Sequence, residues 1–94
     1  MQGKRVADQV WELNPGEYSR HGVVDGVGNR LPDMWVCRMP NGHYGSIVKH
    51  TVVVHEDGTI TVSPSILLST SYDGGKTYVT LWHGYLTKGV WREC

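Results

Sequence analysis

Thr61-Val62-Ser63-Pro64-Ser65-Ile66-Leu67-Leu68, followed at a distance by Trp82-His83-Gly84-Tyr85-Leu86, is the sequence whose reading decides the fold. Thr59-Ile60-Thr61-Val62 alternates cleanly and places Ile60 and Val62 on one face of a strand. Pro64 has no N–H to give a ladder, so a bend is expected there, with Ile66-Leu67-Leu68 continuing on a new course. From Thr77 the alternation returns: Thr77, Val79, Leu81 and His83 point one way, Tyr78, Thr80 and Trp82 the other. That pattern puts His83 beside Val79 and Leu81, on what reads as the inner face.

Outward from these strands, turns punctuate the chain. Glu56-Asp57-Gly58, Tyr72-Asp73-Gly74-Gly75-Lys76 and Thr87-Lys88-Gly89 read as hairpin connections, and Val90-Trp91 begins a last strand. Met34-Trp35-Val36-Cys37-Arg38-Met39 is a strand held between Pro32 and Pro40. Tyr44 to Val48 and Thr51 to His55 supply two more. No segment has a 3.6-residue apolar period of helical length. Arg5 to Leu13 reads as a short strand or a helical turn. Asn14-Pro15-Gly16 is a turn, and Tyr18 to Pro32 reads as a long glycine-rich loop, or as a loop with short edge strands. The expectation is one all-β domain over residues 1–94, a small sandwich or open barrel of six to eight short antiparallel strands. Residues 1–33 form its long irregular segment and 34–94 its β core.

Nine Lys and Arg balance nine Asp and Glu. Binding to bulk nucleic acid or to a membrane surface needs a basic excess that this chain lacks. A net charge near zero favours self-association, so a homo-oligomer is expected. The two cysteines, Cys37 and Cys94, are too few for a disulfide framework. No apolar run follows Met1-Gln2-Gly3-Lys4-Arg5, which leads to the expectation of a soluble, cytoplasmic protein with reduced thiols. Four Trp and five Tyr, with no Phe, suit half-buried walls that combine apolar area with a donor.

Several groups qualify for a site. His83 lies between Trp82 and Tyr85, either of which offers a flat face to a ring. Ser63 and Ser65 straddle Pro64, which either breaks their shared face or aims both hydroxyls at one spot. They lack the glycine elbow of a serine nucleophile, so hydrogen bonding to a ligand or to His83 is the expected role. Arg38, on a strand among apolar residues, wants a planar anion: a phosphate, or a carboxylate such as Asp33 or Glu93. Asn41 lies in the turn that follows. Arg20, Arg30, Lys88 and Arg92 are further cations of interest. Cys37, His43, His83 and Cys94 together have the ligand count of tetrahedral zinc, without the close cysteine pair usual in structural sites. His50 and His55 receive no role. Trp11 and Trp91 are expected to be structural.

Pro40-Asn41-Gly42-His43, Ser63-Pro64-Ser65-Ile66 and Trp82-His83-Gly84-Tyr85-Leu86 with Gly89-Val90-Trp91 resemble a family of small bacteriophage-encoded proteins of unknown function, whose members are often labelled ammonia monooxygenase. The resemblance covers roughly Trp35 to Cys94. It implies a phage origin, expression in an infected host cell and a shared β scaffold, and it carries no activity. Where the family often has a cysteine before the histidine, this chain has Trp82, and it lacks the extra cysteines around Cys37. Phage setting and residues together lead to a first expectation. It is an accessory protein that binds a small anionic, nucleotide-like ligand without turnover, as in sequestering a host signal. The ligand-binding set is His83, Trp82, Tyr85, Ser63, Ser65, Arg38 and Asn41, with no cofactor. The alternatives are a module that caps a host protein through Trp35, Tyr44 or Trp91, and a zinc-dependent hydrolase.

Overall fold

The alternating stretches do become strands. The computed structural model describes residues 1–47 and 50–94, and among these there is no helix. Eight strands follow in order: β1 (Lys4–Arg5), β2 (Glu17–Val24), β3 (Arg30–Arg38), β4 (Tyr44–Ile47), β5 (Thr51–Val54), β6 (Ile60–Ser71), β7 (Tyr78–Thr87) and β8 (Val90–Glu93). They form two four-stranded sheets, ordered β1-β2-β3-β4 and β5-β6-β7-β8. Only β1 and β2 pair in parallel; the other neighbours are antiparallel. Val48, expected at the end of β4, lies outside the described residues.

The sheets pack face to face as a small sandwich. Tyr18, Trp35, Cys37, Met39 and Ile47 come from the first half of the chain, and Ile60, Val62, Ile66, Trp82, Leu86 and Trp91 from the second. Trp82 and Trp91 meet edge to face, 5.4 Å apart and at 87°. Such a pair is worth about 0.5–1.5 kcal/mol beyond its buried area. The Trp91 indole donates to the Gly16 carbonyl at 2.9 Å, which ties β8 to the loop before β2.

Three expectations are corrected or refined by the structure. The loop-rich segment 1–33 holds more strand than expected, because it supplies β1, the eight-residue β2 and the start of β3. Its strand character was hidden because β2 buries polar residues as well as Tyr18. Ser19 and His21 are buried with their hydrogen bonds met by the chain that crosses over them. The Ser19 hydroxyl donates to the Ala7 carbonyl at 2.7 Å and accepts from the Val10 N–H, while His21 Nε2–H donates to the Val10 carbonyl at 3.1 Å. A strand covered by backbone on its outer side needs no apolar alternation.

The second concerns Pro64, where the expected change of course takes the form of a register irregularity. β6 runs through it as one strand, and the register with β7 shifts between Val62 and Ile66. The missing N–H is absorbed by this irregularity instead of ending the strand. Pro32 is likewise inside β3, opposite the irregularity between His21 and Val23.

Third, the faces of β7 are reversed. Trp82, Gly84 and Leu86 are buried, whereas His83 is half-buried and Tyr85 exposed. His83 therefore stands on the outer face. The pattern misled because Tyr78, Val79 and Thr80 lie on a stretch of the β6–β7 hairpin that is exposed on both faces, where alternation carries no inside–outside information.

Candidate functional site

The irregularity at Pro64 shapes the site. It leaves the peptide of Ser65 facing two imidazoles. The Ser65 hydroxyl lies 3.1 Å from His83 Nε2, and its carbonyl accepts a hydrogen bond from His50 Nε2–H at 2.9 Å. Because a carbonyl can only accept, His50 carries a proton on Nε2, and its buried Nδ1 has no partner among the described residues. His83 is fixed from the other side as well, its own carbonyl accepting from the Cys94 N–H at 3.0 Å.

Alternation then lays out the neighbouring groups. Tyr85 shares the outer face with His83, about 7 Å along β7. Arg92 pairs with Tyr85 across β7–β8, and Gly84 with Glu93. A hollow of about 450 Å³ opens here, lined by Tyr85, Thr87, Arg92, Glu93 and Cys94. Tyr85 is about half exposed (47%), so part of its ring is open to a ligand. Arg92 is exposed and forms no ion pair among the described residues. Chemically the surface offers a flat aromatic face, a guanidinium, and an imidazole–hydroxyl pair that can both donate and accept.

Not all of the expected site residues assemble here. His83, Ser65 and Tyr85 share this face. Ser63 is exposed on β6 opposite Thr51 of β5, and among the described residues its hydroxyl has no partner in common with Ser65. Trp82 offers no open ring, being 3% exposed and packed on Trp91 inside the sandwich. Arg38 lies on the other sheet. It meets neither Asp33 nor Glu93; its Nε and Nη1 donate to the carbonyls of Gly42 and Leu13, both at 2.9 Å, and the guanidinium sits 5.1 Å over the Tyr44 ring. The cation is satisfied by carbonyls, and Asp33 is taken by Arg20 and Arg30. Asn41 donates to the Leu81 carbonyl at 2.8 Å and accepts from the His43 N–H, so it pins a turn to β7.

The four proposed zinc ligands do not form a set. Cys37 is fully buried in the core, and burial pushes its thiol up to about 12, which disfavours the thiolate a metal requires. Among the described residues no three His, Cys, Asp or Glu side chains are grouped to hold an ion. Of the aromatics expected to cap a host protein, Trp35 and Trp91 are buried and Tyr44 is about half exposed. Trp11, expected to be structural, is 63% exposed and rests on His21 with ring centroids 4.2 Å apart.

Sequence reasoning missed His50, and no local signal marks it: fifteen positions separate it from Ser65, and only the irregularity at Pro64 makes them meet. Arg92 had a signal, since it is one residue from Trp91 on a strand and must face away from the core. No helix among the described residues is long and apolar enough to cross a membrane. No protein-family model matches this chain, and no curated protein or solved structure does either.

Proposed function

We propose that the protein binds a small anionic, nucleotide-like ligand on the outer face of the β6–β7–β8 sheet, and that it holds the ligand without converting it. The observation that supports this reading is the hollow with Tyr85 and Arg92 on its walls; the His83–Ser65 pair lies on the same sheet face but outside the lining of that hollow. A planar base stacks on the Tyr85 ring. The Arg92 guanidinium takes a phosphate, which it matches in geometry as well as charge. His83 and Ser65 supply the hydrogen bonds that orient the sugar or a second phosphate. Tyr85, His83 and Ser65 remain from the expected set, and Arg92 takes the part first given to Arg38.

The resemblance to phage proteins gives the binding a purpose, the sequestration of a host nucleotide signal. A shallow hollow holds a ligand weakly, and closure by a second copy of the chain, favoured by the zero net charge, would exclude water and raise affinity.

Calorimetric titration with a panel of nucleoside mono-, di- and cyclic phosphates tests the reading, with product analysis of the same samples. Binding that is lost in Arg92→Ala and Tyr85→Ala, with the nucleotide recovered intact, is the expected result. No heat from any member of the panel at millimolar concentration overturns it. Recovery of hydrolysed nucleotide, abolished by Ser65→Ala, assigns catalysis to the same pair instead.

A further inference from the structure

The opposite face of the sandwich carries a second, independent feature. Between Trp11 and Tyr44 lies a groove of about 410 Å³, floored by Met34 and Val36 and bordered by Gly45 and Ser46. Both walls are braced. Trp11 leans on the buried His21, which is itself bonded to the Val10 carbonyl. The Tyr44 hydroxyl donates to the Leu13 carbonyl at 3.0 Å and accepts from the Leu13 N–H at 3.1 Å. None of the six lining residues is charged.

The groove adjoins β4, an edge strand. The Met39 N–H bonds to the His43 carbonyl, so Met39 and His43 form a hydrogen-bonded pair. Antiparallel ladders alternate. In the register of β3 with β4, the pairs Cys37–Gly45 and Trp35–Ile47 are therefore bonded, and Arg38–Tyr44 and Val36–Ser46 are not. The backbone of Arg38 obeys this, since its carbonyl turns away from β4 to accept from the Gly16 N–H at 2.8 Å. It follows that the N–H and C=O groups of Tyr44 and Ser46 point outward. The two residues whose side chains border the groove are those whose backbone groups face out from the edge. β4 contains no charge, proline or bulge, the usual guards of an edge strand.

We propose that this edge and groove form one docking site for an extended peptide, which adds to the sheet as a fifth strand and lays an apolar side chain between Trp11 and Tyr44. Outward main-chain groups at strand spacing select an extended backbone, and the uncharged aromatic walls select an apolar side chain. A cationic side chain is disfavoured because Arg38 already occupies one face of the Tyr44 ring.

The probe is a capped pentapeptide alternating threonine and leucine, followed by backbone amide NMR of the whole chain. Titration should shift and protect the Tyr44 and Ser46 amides and shift the Trp11 indole. The same peptide N-methylated at every second amide should bind at least about tenfold more weakly. Ser46→Pro removes one outward N–H without touching a bond of the β3–β4 ladder, and should weaken binding by a similar factor at unchanged melting temperature. Trp11→Ala, at an exposed position, should do the same through the groove. No shift at millimolar peptide, or equal binding of the methylated peptide, overturns the proposal. So does concentration-dependent dimerisation without peptide that Ser46→Pro abolishes, since that assigns the edge to a second copy of the chain.

Discussion

His83 and Ser65 meet at 3.1 Å across the β6–β7 pair although eighteen positions separate them. The contact lies on the outer face, where water can replace either partner. Removing the imidazole is therefore cheap for the fold. His83→Ala should change stability by less than about 1 kcal/mol while lowering affinity for the anionic ligand. Melting curves and titrations on the same variant check both halves.

His50 should behave in the opposite way. Its Nε2–H satisfies the Ser65 carbonyl at the irregularity in β6, so His50→Ala leaves that carbonyl without its partner. The expected cost is about 1–2 kcal/mol. For a chain of this size that lowers Tm by roughly 4–8 °C per kcal/mol. A His50→Ala protein that melts like the parent would remove His50 from the account of how Pro64 is accommodated.

Gly84 is the most tightly enclosed of the glycines. A Cβ there would run into the Arg92 carbonyl and the Trp82 ring. Both obstacles are rigid, one being ladder backbone and the other a core indole. Gly84→Ala should cost about 3 kcal/mol or prevent folding. Gly22→Ala, with open space at its Cβ, is the control and should melt within a few degrees of the parent. Thermal denaturation of the pair decides.

The two thiols should react very differently. Cys37 is buried and its pKa is pushed to about 12 by desolvation, whereas Cys94 is exposed. A thiol reagent at neutral pH should modify Cys94 quickly in the native protein and Cys37 only after denaturant is added. Mass spectrometry of the labelled peptides reads the order. Fast labelling of Cys37 in the native state would mean that the sheets open readily.

Acid should destabilise the fold through turn carboxylates. Asp73 is held below its ordinary value by the N–H and hydroxyl of Thr77 and by Ser71, and Asp57 by the Thr59 hydroxyl and N–H. The N–H groups of Asn29 and Val27 depress Asp25, and Arg30 and Arg20 depress Asp33. A folded pKa below the unfolded one stabilises above the unfolded value, about 3.9 for Asp, and the gain is lost as pH falls through the folded value. Tm should therefore hold down to about pH 4 and drop below it. Asp73→Asn should lower the plateau and make that drop shallower, as measured by melting curves on a descending pH series.

The legible parts of this fold were those where one face of a strand meets solvent. Ile60 and Val62 were placed on one face from alternation alone, and both are buried. The turns at Gly58 and Gly89 were marked by their residues, and both glycines have the positive φ such turns require. β2 was not legible, because Ser19 and His21 are buried against backbone and not against apolar side chains. The orientation of His83 was misread from neighbours on a hairpin exposed on both faces. Among the site residues, Tyr85 and Ser65 could be picked out because polar and aromatic groups interrupt strand sequences there. His50 and Trp11 could not, since nothing local distinguishes them.

Sequence by itself determined the class: β-branched alternation cut by glycine turns leaves the chain no way to bury its apolar residues except as packed sheets. Tertiary structure alone decided which of two faces each strand turned inward, and which distant groups met. A strand has two faces related by a single-residue step, and the choice between them is made by whatever packs on each side. Trp82 entered the core because Trp91 stood there to receive it, and that sent His83 outward to Ser65.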